Sequence, residues 1–145
     1  MAILYSEIHR LSKNSQFQPI CLGISTVLPS SSQSEDCLFL NIWSPASATP
    51  KSKLPVWVFI QGGGYTTNAN ANYNGSNVVE TSGKNIVFVN FNYRVASWGF
   101  LASEKVREGG NLNAGLLDQR ALLEWVQKYI ALVSPCMFIY ITGLD

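Results

Sequence analysis

Three consecutive glycines, Gly62-Gly63-Gly64, stand between Gln61 and Tyr65, directly after the apolar run Leu54-Pro-Val-Trp-Val-Phe-Ile60. Glycine loses more backbone freedom on folding than any other residue, so a run of three needs a reason. One reason is that main-chain N–H groups must approach a ligand with no side chain in the way. Donors of that kind stabilise the oxyanion that forms when a nucleophile adds to a carbonyl, and one of them contributes about 3–4 kcal/mol in the transition state. A tight turn at positive φ accounts for the same glycines without chemistry, and the run alone leaves the two readings level. A phosphate loop fits less well, because no Gly-Lys-Ser/Thr follows and no helix begins at the glycines.

Other chemistry-bearing residues are sparse. His9 is the single histidine and lies upstream of every candidate nucleophile. No G-x-S-x-G occurs, and no S-x-x-K at a helix start supports a Ser–Lys dyad. The cysteines Cys21, Cys37 and Cys136 form no C-x-x-C and fit no zinc pattern. Cys21 and Cys37 flank a Ser/Pro-rich loop, where a disulfide is sterically reasonable, and free thiols are the alternative. A disulfide would imply a secretory history. The start, Met1 to Arg10, does not read as a signal peptide: it has no basic opening, its apolar run stops at Tyr5 and Glu7 interrupts it. Localisation is left open.

The elements that must position these residues follow from periodicity. Asp36 to Trp43 alternates, with Leu38, Leu40 and Ile42 on one face and Phe39, Asn41 and Trp43 on the other, which predicts a strand. Leu54–Ile60 and Asn85–Tyr93 are nearly continuous apolar runs rich in β-branched and aromatic residues, as in strands buried on both faces of a parallel sheet. Asn113 is a good N-cap for a helix over Ala114–Ile130. Its apolar face carries Leu117, Ala121, Leu122, Trp125, Val126 and Tyr129, and its polar face Asp118, Gln119, Glu124, Gln127 and Lys128. Met137–Ile141 reads as a final strand. Gly23–Ser34, Asn68–Asn77 and Val95–Gly110 read as loops, and Val78–Ser82 as a short helical turn. Trp43, Trp57, Trp98 and Trp125 are assigned to the core. The pattern predicts α/β architecture.

Composition narrows the field further. Hydrophobic residues make up 47% and charged residues 13% of the 145, with a formal net charge of +1. That charge fraction is about half the usual one for a soluble domain. No Lys/Arg block suggests a nucleic-acid or anionic-membrane partner. The longest apolar runs fall far short of the roughly 18 residues that cross a bilayer.

Five segments, taken in order, resemble the type B carboxylesterases, the cholinesterase and fungal lipase family. They are Ser34-Glu-Asp-Cys-Leu-Phe-Leu-Asn-Ile-Trp-Ser-Pro45, Val56-Trp-Val-Phe-Ile-Gln-Gly-Gly-Gly-Tyr65, Val87-Phe-Val-Asn-Phe-Asn-Tyr-Arg94, Gly99-Phe-Leu101, and Gly110-Asn-Leu-Asn-Ala-Gly-Leu-Leu-Asp-Gln-Arg-Ala-Leu-Leu-Glu-Trp-Val126. Gln61, where many esterases carry His, is similar to fungal members. The resemblance implies a partial α/β-hydrolase fold, acyl-enzyme hydrolysis of carboxylic esters in the full-length relatives, and no metal or organic cofactor. By it, Gly63 and Gly64 would be backbone oxyanion donors and Tyr65 would line the acyl or gorge region. Cys21 would pair with Cys37, and Arg94 with Asp118 in a buried structural ion pair.

The chain departs from the family pattern after Ile130. It reads Ala131-Leu-Val-Ser-Pro-Cys-Met-Phe-Ile-Tyr-Ile-Thr-Gly-Leu-Asp145 where relatives lead into a G-E-S-A-G nucleophile elbow. The expected organisation is a loosely structured segment 1–20, the N-terminal part of a carboxylesterase domain over 21–130, and a divergent tail 131–145 that forms a strand. The expected function is the oxyanion-loop half of a carboxylic ester hydrolase, inactive alone. The alternative is a non-catalytic binding or scaffold protein of the same fold. A carbohydrate-binding stretch at Asn68–Asn77 ranks below both.

Overall fold

The computed structural model describes residues 17–24, 32–49, 51–132 and 139–143. Expectations that rest on His9, Cys136 and the opening 16 residues lie outside the described residues. β1 (Ile20–Cys21) and β2 (Gln33–Ser34) form a short parallel pair. The main sheet holds β3 (Leu40–Trp43), β4 (Val56–Ile60), β5 (Val87–Phe91) and β6 (Ile139–Gly143) in the order β3-β5-β4-β6. β3 runs antiparallel to β5, whereas β4 is parallel to both β5 and β6. The registers put Ile42 and Val58 opposite Val89, and Val58 opposite Ile141.

The period of two in β4 and β5 divides their side chains between two cores. Val56 and Val58 of β4 and Val87, Val89 and Phe91 of β5 cluster with Leu122, Trp125 and Val126 of the long helix Ala114–Tyr129. Phe59 and Phe88 face the other way, onto Val79 of α1 (Ser76–Thr81), with Trp43 and Trp57 packed around them. Helices therefore cover both faces of the sheet, and every residue of β5 is buried. This layering explains why neither central run alternates in polarity. Among the described residues no helix is long and apolar enough to cross a membrane.

Several expectations need correction. Val95–Gly110 is not a plain loop: it holds α2 (Ala96–Phe100) and α3 (Glu104–Gly109). Neither helix is long enough to display a 3.6-residue period. α3 is started locally, by the Ser103 hydroxyl accepting from the Val106 N–H at 3.1 Å and by Glu104 in its first turn. The strand expected over Asp36–Trp43 begins only at Leu40, because Cys37 is held by a disulfide to Cys21 and its carbonyl accepts locally from Phe39 N–H. Gln33–Ser34 pairs as a strand rather than lying in a loop, and Ser76 and Asn77 already belong to α1.

The long helix, α4 (Ala114–Tyr129), differs in three respects. Asn113 precedes it in the left-handed region (φ 55°, ψ 43°) and makes no side-chain cap bond. Its value there is tolerance of that backbone conformation, which asparagine adopts more readily than most residues. Asp118 is not on a solvated face. The buried stripe runs Gly115, Asp118, Leu122, Trp125, Val126, with the carboxylate at its centre. Leu117, expected in the core, is 40% exposed. Trp98 is likewise on the surface, because α2 buries Gly99 instead.

Candidate functional site

The glycine turn leaves the carboxyl end of β4, where the last ladder positions pair Ile60 with Phe91 of β5 and Gly143 of β6. In open sheets with parallel strands this end is where ligands bind. Gly63, Gly64 and Tyr65 all adopt positive φ, at 126°, 59° and 60°. A Cβ on Gly63 would collide with the Thr67 carbonyl, whereas one on Gly64 would meet open space. The turn uses its carbonyls internally. Gly63 O accepts from the N–H groups of Thr66 at 3.0 Å and Thr67 at 3.2 Å, and Gly62 O accepts from Ala69 N–H at 3.2 Å. None of the hydrogen bonds among the described residues uses the N–H of Gly63 or Gly64. The turn thus offers two neighbouring main-chain donors with no side chain beside Gly64, an arrangement suited to an anion.

Tyr65 is 53% exposed, and its ring stands 5.0 Å from Phe100 and 6.5 Å from Tyr93. Its carbonyl accepts from Ala96 N–H at 2.7 Å, which ties the turn to the start of α2. Just before that point, Arg94 grips Asp118 of α4 three times. The Arg94 backbone N–H donates to Oδ2 at 3.0 Å, Nε to Oδ2 at 2.8 Å and Nη2 to Oδ1 at 2.6 Å. Asp118's side chain is 3% exposed and that of Arg94 34%. The hydrogen bonds that the guanidinium donates to Asp118 raise its pKa above its already high range. Gly115, one turn before Asp118, has no room for a Cβ, which would strike the Arg94 carbonyl and the Phe100 ring. That absence of a side chain lets α4 approach closely enough for the pair to form.

Beneath the turn lies a polar layer that sequence reasoning missed. Gln61 is buried, and its carbonyl accepts from the Tyr93 hydroxyl at 2.9 Å. Its Nε2 donates to Asn68 Oδ1 at 2.9 Å, and Asn68 Nδ2 donates to the Cys21 carbonyl at 3.1 Å. Ile24 N–H donates to Thr66 O at 2.8 Å. The turn is thereby joined to the segment carrying the Cys21–Cys37 disulfide. The one available sequence signal was Asn68 itself, an amide inside an Asn-rich stretch that local pattern reads as loop.

Burial, and then the neighbouring Tyr65, push the Tyr93 hydroxyl pKa up. A raised folded-state pKa means that the fold retains a proton which the unfolded chain gives up, so stability falls as pH rises. The contribution is complete below the unfolded tyrosine value of about 10 and is lost above it. Urea midpoints measured at pH 8 and at pH 11 should therefore drop at the higher pH, and by less in Tyr93→Phe. An equal drop in both proteins would mean that Tyr93 is not responsible.

A sheet with parallel central strands and an antiparallel edge, helices on both faces and a triple-glycine turn ending a central strand defines part of an α/β-hydrolase. A family model described as the carboxylesterase family matches residues 8–133. Lipase 1 of Geotrichum candidum is 47% identical over 103 residues, which is 69% of this chain and 18% of that protein. Liver carboxylesterase 1F of Rattus norvegicus is 46% identical over 98 residues, covering 68% of this chain and 17% of its own length. Among solved structures, EstA of Aspergillus niger superposes with a TM-score of 0.83 at 55% identity over 90% of this chain and 25% of that one. A PNB esterase gives 0.73 at 36% identity, over 88% and 26%. The chain belongs to the carboxylesterase family, and spans 18% or 17% of the two curated relatives.

Proposed function

We propose that this chain supplies the oxyanion turn of a carboxylic ester hydrolase. The observation that carries the reading is the pair Gly63–Gly64, at positive φ and at the carboxyl end of a central strand, with N–H groups that no other described residue uses. When a nucleophile adds to an ester carbonyl, these N–H groups would donate to the oxygen as it acquires charge. Collapse of the tetrahedral species would release the alcohol and leave an acyl-enzyme, which water hydrolyses. Tyr65, backed by Phe100, would line the acyl side of the site. The Arg94–Asp118 pair would act at one remove, by holding the 94–96 segment whose Ala96 N–H grips the Tyr65 carbonyl.

The nucleophile and its base are a different matter. The 145 residues contain no G-x-S-x-G and one histidine, at position 9. Donors stabilise little when no group is activated for attack, and loss of the nucleophile or its base costs several orders of magnitude. The chain by itself is expected to be inactive. Two results test the whole reading. The purified chain, given p-nitrophenyl butyrate and a fluorophosphonate probe, should show neither turnover nor a mass adduct. A chimera in which residues 21–130 replace their counterpart in Aspergillus niger EstA should hydrolyse the ester. A labelled serine in the chain alone, or a folded chimera without activity, would overturn it.

A further inference from the structure

The glycine turn is not self-supporting. Gly63 and Gly64 sit in left-handed backbone, and the hydrogen bonds within the turn come from Thr66, Thr67 and Ala69 only. Besides the bonds from Ala96 N–H to Tyr65 O and from the Tyr93 hydroxyl to Gln61 O, two ties lead to the segment that carries Cys21. One is the bond from Ile24 N–H to Thr66 O. The other is the chain Gln61 Nε2 to Asn68 Oδ1 and Asn68 Nδ2 to Cys21 O. The two segments are pressed together: a Cβ on Gly23 would lie 2.9 Å from Thr66 O and 3.1 Å from Thr67 Cα. Cys21 is 1% exposed and covalently bound to Cys37. The disulfide therefore lies behind the turn and immobilises the carbonyl that Asn68 holds.

We infer that Asn68 is a positioning residue, whose amide bridges the root of the glycine turn at Gln61 to the disulfide-held Cys21 carbonyl and so transmits the rigidity of the Cys21–Cys37 bond to Gly63 and Gly64. This rests on the assignment of those glycines as oxyanion donors. Asn68 touches neither substrate nor reacting atoms in this role. Both ends of its amide are needed, the oxygen as acceptor from Gln61 and the nitrogen as donor to Cys21. Asn68→Asp is the discriminating change, because it keeps an acceptor for Gln61 and removes the donor to Cys21.

The test uses the full chain with ¹⁵N-glycine labelling, which yields one backbone signal for each of its 11 glycines. In Asn68→Asp, with the disulfide verified intact by mass, the order parameters of Gly62, Gly63 and Gly64 should fall from about 0.85 to below about 0.6. Those of Gly83, Gly109 and Gly110 should stay unchanged. Reducing the parent chain with a dithiol, two thiols replacing the disulfide, should loosen the same three glycines together with Gly23. Where reduction collapses all the signals at once, the Asn68→Asp spectrum decides alone. Turn glycines that keep their order in Asn68→Asp would overturn the inference. The readout involves no turnover, so an inactive chimera would remove the oxyanion assignment while leaving this measurement interpretable.

Discussion

Asp118→Ala should lower the unfolding free energy of the chain by about 3 kcal/mol, the lower end of what removing one partner of a buried ion pair costs. The lower end applies because Arg94 keeps 34% of its side-chain exposure and recovers some hydration, whereas Asp118 is nearly sealed off. Three donors lose their acceptor at once, and one of them is the Arg94 backbone N–H. An unpaired backbone donor in that position carries its own penalty of about 1–3 kcal/mol. Asp118→Asn, which retains one acceptor oxygen and a similar volume, should lose less. Urea unfolding should show the midpoint moving with little change in slope. A loss below about 1 kcal/mol would place the pair among surface ion pairs of small effect and sink the account.

Phe88→Ala should be of similar or greater size, about 3–5 kcal/mol. Phe88 is 1% exposed, and its ring lies 5.8 Å from Trp43, 5.9 Å from Trp57, 6.0 Å from Tyr73 and 6.1 Å from Phe59. It is the centre of the core on the α1 side, so its removal opens a cavity that four large rings cannot close without leaving their own contacts. Gly75, directly before α1, is pressed against Phe88 and Trp43 so tightly that a Cβ there would overlap both rings. Loss of the ring should therefore loosen the docking of α1 as well. Near-ultraviolet circular dichroism should lose tryptophan intensity in the variant while far-ultraviolet helix signal persists. An unchanged aromatic spectrum with a destabilisation under about 1 kcal/mol would show that the cluster repacks freely.

These two side chains also mark the limit of what the amino-acid order reveals. Phe88 was legible: it stands in a continuous apolar run, and only a strand buried on both faces tolerates such a run. β4 and β5 were legible for the same reason, and most of α4 because its apolar spacing repeats over enough residues to define a period. The glycine turn was legible as a turn after β4, with oxyanion donation and a tight turn at positive φ left level. The partner of Asp118 was not legible from pattern. Its charge assigned it to the polar face, although its spacing from Leu122 and Trp125 puts it on the buried stripe, and Arg94, 24 residues earlier and just past the end of β5, is brought to it only by the fold. The resemblance to the carboxylesterases supplied that pairing, because a family pattern carries tertiary information that periodicity lacks.

Local pattern was enough for the α/β class, the two-sided central strands, the amphipathic helix and the presence of a glycine turn, because each depends on neighbours within a few residues. Tertiary structure alone decided that Asn113 serves a left-handed bend rather than a cap, that Leu117 and Trp98 remain exposed, and that α2 and α3 form at all. It also placed Asn68, 47 residues from Cys21 in sequence, between the glycine turn and the disulfide. For Asn68, as for Asp118, the reason is the same. A buried polar group is satisfied by whichever donor or acceptor the packed layers bring within about 3 Å, and that partner is chosen by the folded sheet rather than by the local chain.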